Sequence, residues 1–255
     1  MNRAEYVVIY DVTNSNPNGD PDAANQPRMH DNGFGYITDV CIKRKLRNVA
    51  AEDGQKILIS SGENIQEACK GDVSEYWDVR MFGAVVTEKN STVNRSVRGP
   101  IQFGFATSIC PINPVQVCIT SSVGRKENQT QTMGNKWIIP HAVYRQEIYF
   151  NANLAEKVGV SQSDVEKFEQ YLINMMEFDR SAARPQMTVR GLYRIDHESK
   201  IGFAPSWETT QAIQIKNLVN PSASWQDYAI TVQGNHMSTG EHVEFRKGVK
   251  ITRLV

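Results

Sequence analysis

The stretch Gly33-Phe-Gly-Tyr-Ile-Thr-Asp-Val-Cys-Ile-Lys-Arg-Lys-Leu-Arg-Asn-Val49 predicts a glycine-rich turn followed by a helix. Within the helix, Ile42, Leu46 and Val49 recur at intervals of four and three residues. Residues at these intervals share one side of a helix, so they predict an apolar stripe that packs on the rest of the chain.

Basic residues occupy several of the remaining positions of this helix. We expect Lys43, Arg44 and Arg47 to lie together on the side opposite the stripe, because residues three and four apart are neighbours on a helix. Lys45 lies nearer the stripe, so its alkyl stem would run along apolar surface to bring the charge to water.

The two glycines before the helix allow the backbone to approach a bulky group. Gly33 and Gly35 precede the first N–H groups of the helix, which themselves form an anion site. One interpretation is a phosphate at the turn, with further phosphates along the basic side. The alternative, which a lone helix would favour, is a solvated charged face with no ligand.

The composition limits the kind of protein that this chain can be. Its 255 residues, 40% of them hydrophobic, are enough for one large domain or two small ones. Lys and Arg number 28, and Asp and Glu also number 28, so the net charge is zero. Freestanding nucleic-acid binders are usually basic, so any nucleic-acid surface here must come from local segregation of charge.

The sequence gives no indication of a membrane or metal partner. No apolar run approaches the roughly 18 residues of a membrane span, and the N-terminus has no signal-peptide pattern, so we expect a cytoplasmic protein. The cysteines form no C-x-x-C pair and have no histidine at a ligand spacing. We expect buried free thiols and no metal at Cys41, Cys69, Cys110 and Cys118.

A strand and a long polar loop open the chain. Glu5–Tyr10 is a nearly continuous apolar run, which predicts a central strand covered on at least one face. The loop Asn14-Ser-Asn-Pro-Asn-Gly-Asp-Pro-Asp22 imitates the first half of a calcium-binding EF-hand loop, but Asn25 stands where a bidentate glutamate is needed. We expect Asp20 and Asp22 to act as turn and capping residues rather than as metal ligands.

Two further segments lead to the middle of the chain. Residues 51–96 are acidic in patches and begin with the short apolar run Lys56–Ile59, so we predict a short strand within an insertion outside the core. Next, Ile101, Phe103 and Phe105 alternate with smaller or polar residues, as in a strand with one apolar face. Their Phe-Gly-Phe piece weakly matches the RNA-stacking strand of RRM domains, and core packing is the expected role.

An antiparallel arm is predicted next. Pro114–Thr120 alternates between apolar and polar residues, whereas residues 121–136 are almost wholly polar. The exposed tip of this arm would carry Arg125, Lys126, Met133 and Lys136. A methionine among polar residues could wedge against a base. The alternative is a disordered hairpin tip with no ligand.

The remaining elements complete a recognisable order. His141–Phe150 and Met187–Ile195 predict strands, and a helix starts at Ser161, with Asp164 three residues on in a capping box. Without the insertions the order is strand, helix, strand, strand, helix, strand. This order is typical of an α+β, ferredoxin-like or RRM-like fold, whose sheet would leave one face open for binding. Residues 196–255 are predicted to form a β-rich extension.

Motifs spread over most of residues 5–205 carry a family likeness. They are Asn16-Pro-Asn-Gly-Asp-Pro-Asp22, Pro27-Arg28, Gly35–Arg47, Asp78-Val-Arg-Met-Phe-Gly-Ala84, Val97-Arg-Gly-Pro-Ile-Gln102, Thr132-Met-Gly-Asn-Lys136 and Arg190-Gly-Leu-Tyr193. Together they resemble the repeated backbone subunit of type I CRISPR surveillance complexes (Cascade), the CRISPR-associated protein seven family, and subtypes I-C and I-B most of all.

The resemblance implies a single RRM-like palm over residues 1–255. It further implies a finger insertion at 51–96, a β-hairpin thumb at 112–140 and the C-terminal extension at 196–255. Copies of the chain would line up in a helical filament along a CRISPR RNA, together with other Cascade subunits. Each thumb would displace a guide base, and the guide would pair with one strand of invading DNA in antiviral defence. The neutral net charge suits a filament, in which acidic patches meet basic ones.

Mapped onto this sequence, the resemblance implies an RNA-binding set. Guide phosphates would be held by Arg28, Lys43, Arg44 and Arg47. The guide backbone would be contacted by Arg95 and Arg98 at the base of the finger, and attracted by Arg125, Lys126 and Lys136. Met133 would insert beside the displaced base, whereas Asn135 stands where a basic residue would be expected.

Two other functions stay open at this point. Related type III backbone subunits cleave target RNA with a loop aspartate, and the loop candidates here are Asp20, Asp22, Asp31 and Asp72. The type I likeness favours a protein that is not an enzyme and needs no cofactor. The second alternative is a standalone RRM-like binder of cellular RNA.

Overall fold

The computed structural model of the protein describes residues 1–60, 72–86, 95–121 and 132–255. Its strands are β1 (Ala4–Ser15), β2 (Gly19–Asp20), β3 (Gln26–Pro27), β4 (Phe34–Ile37), β5 (Gly83–Val86), β6 (Arg95–Arg98), β7 (Ile101–Phe103), β8 (Ala106–Pro111), β9 (Val115–Ser121), β10 (Thr132–Phe150), β11 (Gln186–His197), β12 (Ile213–Asn217), β13 (Tyr228–Val232), β14 (His242–Arg246) and β15 (Val249–Arg253).

The described helices are shorter in total than the strands. They are α1 (Asp39–Glu52), α2 (Trp77–Phe82), α3 (Ala152–Val158), α4 (Gln162–Phe178) and α5 (Ser206–Gln211). In the part of the chain that the structure describes, no helix has the length and apolar content to cross a membrane.

One large antiparallel sheet organises the molecule. Its strand order is β14-β15-β11-β1-β10-β8-β4, with β7 and β9 also paired to β10. β1 lies between β10 and β11 and pairs with both along nearly its whole length. The predicted antiparallel arm is confirmed, because β9 pairs with residues 132–138 at the start of β10.

Helices α1 and α4 cover the first face of the sheet. The predicted stripe of α1 is confirmed, since Ile42, Leu46 and Val49 are all buried. The predicted start of α4 is confirmed as well: Ser161 is the N-cap, and its side chain and Asp164 form a reciprocal capping box. Apolar burial along these two helices therefore accounts for the first core.

The second face of the sheet is covered too, which contradicts the expectation of an open binding face. β12, β13 and α5 lie over it. Residues of this C-terminal region form a second core with Val7, Ile9, Val143 and Tyr193 of the sheet. Val7 and Ile9 are fully buried. The continuous apolar run of β1 reflects this double coverage, because both sets of alternating side chains lose contact with water.

The segment predicted as an insertion contributes to the core. Trp77 and Met81 of α2 are fully buried in the first core, so the expectation that residues 51–96 lie outside it is wrong for α2. The strand predicted at Lys56–Ile59 does not form either. Instead, the N–H groups of Leu58 and Ile59 donate to the Asp78 carboxylate at 2.8 and 3.2 Å.

The basic residues of α1 do not lie together on one exposed face. Arg47 is buried; its Nε donates to the Asp78 carboxylate at 2.8 Å, and its guanidinium lies 5.4 Å from the Phe82 ring centre. The assignment of Arg47 to guide phosphates is therefore wrong, because the guanidinium is enclosed and already paired. Lys45 is also buried, and it bonds Asp179 rather than reaching water.

The glycines before α1 serve the fold rather than a ligand. A side chain at Gly35 would lie 2.5 Å from the Tyr144 hydroxyl and 2.7 Å from Ile112, so the close approach there is to the protein's own core. Gly33 precedes strand β4 and Gly35 lies within it, so neither adjoins the first turn of the helix, which is capped by the Thr38 hydroxyl accepting from the Cys41 N–H. The predicted phosphate site at this turn is not supported.

The cysteine prediction is only partly correct. Cys41, Cys110 and Cys118 are free thiols, as expected. Cys118, however, is exposed, because it lies on the two-stranded arm and has no second layer over it. Cys69 lies outside the described residues.

We predict that Asp78→Ala lowers the free energy of unfolding by about 3–5 kcal/mol, because it leaves the Arg47 guanidinium buried without its counter-charge. Arg47→Ala should have a comparable effect. Chemical denaturation monitored by circular dichroism measures both. The double variant Arg47→Met/Asp78→Leu should lose less than the sum of the single changes, and additive losses would contradict the pairing.

The matched control for this experiment is Arg44→Ala. Arg44 lies on the same helix and is only partly buried, with a single hydrogen bond to the Ile59 carbonyl at 2.9 Å. Its truncation should cost less than about 1 kcal/mol.

Candidate nucleic-acid interface

The loop between β1 and α1 is folded tightly against the start of the helix. The Asn18 side chain accepts hydrogen bonds from both the N–H and the hydroxyl of Thr38, at 3.0 and 3.1 Å. The Asn16 side chain donates to the Asn25 carbonyl at 2.7 Å, and β2 pairs with β3 across the loop. The asparagines that imitate a calcium loop are therefore committed to holding the loop in shape.

The aspartates of the described loops act as caps and ion-pair partners. The Asp20 carboxylate accepts from the Asp22 N–H at 3.2 Å and pairs with Arg28 at 3.2 Å. Hydrogen bonds from Ser74 hold the pKa of Asp72 below its ordinary value. The predicted capping role is confirmed for Asp20, and Asp72, for which no such role was predicted, caps a short turn as well. No group of three or more His, Cys, Asp or Glu side chains able to hold a metal ion occurs within the described ranges.

Three segments that are distant in sequence meet at the base of the arm, and we call this region the junction. It comprises the loop Asn14–Arg28, the segment Asp179–Arg184 and Lys136 on β10. The Asn16 N–H donates to the Ala183 carbonyl at 2.8 Å, and the Lys136 ammonium donates to the Ala182 carbonyl at 3.0 Å. The arm is thereby anchored to the body of the protein at its base.

Cationic groups converge on the junction. Arg184 pairs with Asp179 at 2.6 Å, and the same carboxylate bonds Lys45. Burial raises the pKa of the nearby Cys41 thiol, although the charges of Lys45, Arg184 and Arg28 oppose that rise. Lys45 and Arg184 therefore meet at Asp179, and Arg28 lies on the loop that is bonded to the same segment through Asn16.

The cations of the junction are less fully enclosed and neutralised than Arg47 in its buried pair with Asp78. Lys136 bonds to a neutral carbonyl, and no carboxylate among the described residues pairs with it. Arg28 and Arg184 are paired but retain 24% and 34% side-chain exposure. Partly exposed ammonium and guanidinium groups hold phosphates without reading bases, so this arrangement suits a nucleic-acid backbone.

The other basic positions of the predicted set are less open. Lys43 pairs with Asp39 at 2.9 Å and lies 5.4 Å from the centre of the Phe103 ring, on the edge of the buried side of α1. Arg44 lies on the exposed side of the helix, in a groove with Ile59 and Phe178. Lys43 and Arg44 stay predicted contacts, separated from the junction residues by the helix surface.

The finger and arm positions are described in part. Arg95 and Arg98 both lie on β6, which pairs with β5, and the Arg98 side chain is exposed. Met133 lies on the arm with 78% of its surface exposed, and Asn135 beside it is exposed as well. Arg125 and Lys126 lie outside the described residues.

Sequence reasoning missed the ion-pair network on the second face of the sheet. Arg190 donates to Asp11 through Nε and a terminal nitrogen at 3.0 and 2.7 Å, and His141 contacts the same carboxylate at 3.1 Å. The Arg190 guanidinium lies 5.7 Å from the centre of the Trp225 ring. These residues come from β1, β10, β11 and the C-terminal region, so only the register of the sheet brings them together.

Comparison with known proteins places the chain in a family. The family model described as CRISPR-associated protein Cas7 matches residues 2–233. The chain belongs to the Cas7 family.

A curated relative agrees with this membership. The CRISPR-associated protein Cas7 of Haloferax volcanii is 28% identical over 213 residues, which cover 66% of this chain and 62% of the relative. This Cas7 chain thus spans about three fifths of the length of that relative.

Solved structures show the same fold. A chain of a CRISPR RNA-guided surveillance complex in a pre-nicking state aligns with a TM-score of 0.51 at 14% identity, over 76% of this chain and 78% of that chain. A chain of a second CRISPR RNA-guided surveillance complex aligns with a TM-score of 0.51 at 18% identity, over 81% and 74%. The likeness shows that this Cas7 chain shares the mixed α/β fold with its large antiparallel sheet.

The Asp11 network of this Cas7 chain predicts a pH dependence. Burial alone would raise the pKa of Asp11, but hydrogen bonds from His141 and Arg190 hold it below its ordinary value. A depressed pKa contributes stability above about pH 4, and this contribution is lost as the pH falls through the folded-state pKa. Asp11→Asn should therefore reduce the stability at pH 7 by about 1.5–3 kcal/mol and flatten the decline below pH 4.

Urea unfolding of wild type and Asp11→Asn from pH 2.5 to pH 7 measures this difference. Asp22→Asn, in the exposed part of the loop, is the matched control and should keep the wild-type pH profile. Parallel pH profiles for Asp11→Asn and wild type would show that the network does not perturb Asp11.

Proposed function

We propose that this chain is a CRISPR RNA-binding backbone subunit of a type I Cascade surveillance complex, of a subtype near I-C or I-B. Copies of it multimerise along the guide and support base pairing of the guide with a target DNA strand in antiviral defence. The observation that carries this proposal is the arm: Met133 is 78% exposed, and the base of the arm is bonded to a junction of cations. Membership of the Cas7 family supports the same assignment.

The palm of this subunit is RRM-like in our proposal. Along the chain, β1, α1, β8, β10, α4 and β11 follow the order strand, helix, strand, strand, helix, strand. In space, the four strands lie side by side as β11-β1-β10-β8, all antiparallel, with both helices packed in the first core. This combination is the one expected of a ferredoxin-like unit. The arm then corresponds to the thumb, and the β5–β6 hairpin to the finger.

The guide is held by its phosphates rather than by its bases. Lys136, Arg28 and Arg184 supply the charges at the base of the thumb, Arg44 adds a separate charge on another side of α1, and Arg98 serves at the finger. Such contacts are independent of sequence, so one subunit can repeat along any spacer while base pairing reads the message. The exposed thioether of Met133 is placed to lie against a base that has left the stack.

Assembly follows from the same properties. A head-to-tail contact that does not close generates a filament, and equal numbers of acidic and basic groups allow unlike patches to meet. The other subunits of the complex would bind at the ends or along the side of this filament. We place the assembly in the cytoplasm, where its guide RNA is made.

We predict that the purified protein forms multimers on a guide RNA and stays small without it. Size-exclusion chromatography with light scattering, on RNAs of increasing spacer length, should give masses that rise in regular steps. A standalone RNA binder, the alternative, would bind as a monomer whatever the length. Masses that do not depend on RNA length would contradict the proposal.

We predict that Lys136→Ala and Arg28→Ala each weaken binding to all RNA sequences alike. For single strands, each lost phosphate contact lowers the slope of log affinity against log salt by about 0.7. Fluorescence anisotropy at several salt concentrations measures both quantities. Lys167→Ala is the control, because Lys167 is a partly exposed cation of α4 that pairs with Asp53 away from the junction. An unchanged salt slope in the junction variants would remove the junction from the interface.

The alternative of RNA cleavage is tested separately. We propose that the chain is not an enzyme, and the engagement of Asp20 and Asp72 in turns supports this view. The assembled complex is incubated with complementary RNA and Mg²⁺, and the products are resolved on a denaturing gel. Intact RNA is the expected result, whereas cuts at regular intervals would assign the chain to the type III-like alternative.

A further inference from the structure

Three aromatic rings are stacked at one edge of the large sheet. The ring centres of His30 and Tyr36 are 4.5 Å apart with planes inclined by 26°, and those of Tyr36 and Phe105 are 5.7 Å apart with planes inclined by 7°. We call these three residues the aromatic stack. None of them belongs to the predicted RNA-binding set.

Backbone pairing builds the stack from both sides of β4. On one side, the Tyr36 N–H donates to the Arg28 carbonyl at 3.0 Å, and Met29 forms a bridge with Gly35, which brings in His30. On the other side β4 pairs with β8, and Phe105 immediately precedes β8. Tyr36 therefore lies between the other two rings.

The stack lies on the second face of the sheet, beside the layer that covers it. Gly35 and Ile37 alternate with Tyr36 and lie against the first core, so the Tyr36 side chain projects to the other face. Arg145 of β10 contacts the covering layer, because its guanidinium donates hydrogen bonds to the carbonyls of Ile213 and Thr210. A groove of about 400 Å³ lies beside Phe105 and is lined by residues that include Thr107 and Arg145.

The geometry of the stack differs from that of the aromatic residues in the first core. The six ring pairs packed around Phe168, Phe82 and Trp77 are edge-on, with planes inclined by 69–83°. The rings of the stack are close to parallel, and they are not enclosed: Phe105 is 51% exposed and His30 is exposed. Since Tyr36 occupies one face of each outer ring, the exposed surface is on the remaining faces and edges.

We propose that an unpaired nucleobase of a single-stranded nucleic acid stacks on the exposed ring of Phe105. A flat ring whose plane is already set by a parallel neighbour offers a base the geometry of another base, at little cost in side-chain ordering. The adjacent groove is large enough for a base, and its lining includes Arg145, Glu147 and Tyr149, whose side chains are joined by hydrogen bonds through Glu147. A partner protein has no comparable requirement for parallel rings.

This inference rests on the proposed function, because the ligand is the strand that the assembly holds. It adds a contact that does not depend on charge, on the face of the sheet opposite helices α1 and α4. Loss of one base–aromatic contact lowers affinity by roughly 5- to 100-fold. The salt slope should not change, since no phosphate contact is removed.

The test uses the purified full chain and a fluorescein-labelled, unstructured single-stranded RNA of mixed sequence, short enough to hold one copy. Phe105→Ala should reduce affinity by roughly 5- to 100-fold at an unchanged salt slope, and Phe105→Trp should restore it. Phe203→Ala is the matched control, because Phe203 is an aromatic residue 54% exposed in the C-terminal region, beside Gly248 and outside every proposed RNA contact. Thermal unfolding by circular dichroism checks that each variant is folded.

The outcomes separate this inference from the proposed function. Wild-type affinity in Phe105→Ala, with RNA-templated multimers still forming, would overturn the stacking site alone. Wild-type affinity for the short RNA with loss of multimers would assign Phe105 to a contact with a second copy, and would equally overturn it. Absence of RNA binding in the wild type would instead overturn the proposed function. Parallel loss in Phe203→Ala would show a general effect and not a site.

Discussion

The interactions of the buried Asp78 carboxylate decide which side chains helix α1 can present to a ligand. The carboxylate accepts from the Arg47 guanidinium and from the N–H groups of Leu58 and Ile59, so one side chain joins the helix, the segment after it and α2. Removing two charges from water is costly, and the backbone hydrogen bonds complete the coordination that makes the pair tolerable. Once Arg47 is committed in this way, the helix cannot present a continuous basic face.

The cationic surface consequently lies beside the helix rather than along it. The loop after β1, the segment after α4 and the start of the arm meet at the junction through backbone bonds such as that from Asn16 to Ala183. Arg28, Arg184 and Lys136 retain enough exposure there to meet a phosphate, whereas Lys45 is buried beneath them. A neutral chain can hold an anionic polymer in this way, because Arg28 and Arg184 stay partly exposed despite their pairing with Asp20 and Asp179.

The second face of the sheet divides into a covered part and an open part. The C-terminal region buries the middle of β1, β10 and β11, which excludes the broad, open sheet typical of RRM domains. Among the described residues, the face is accessible toward β8 and β4, where Tyr36 and Phe105 lie with their rings parallel. Phe103, two residues earlier, packs against the first core. The Phe-Gly-Phe piece thus has one ring in each environment.

Local pattern alone determined the central strand, the stripe of α1, the capped start of α4, the antiparallel arm and the strand order along the chain. These features depend on periodicity and capping, which neighbouring residues specify. Tertiary structure decided which cations are buried, that α2 belongs to the core and that the second face is covered. Asp78, Asp179 and the C-terminal strands are distant in sequence from the residues that they pair with or cover. The local sequence does not show whether a charged side chain near an apolar stripe will be solvated or will pair with a carboxylate. That outcome depends on where the rest of the chain folds back.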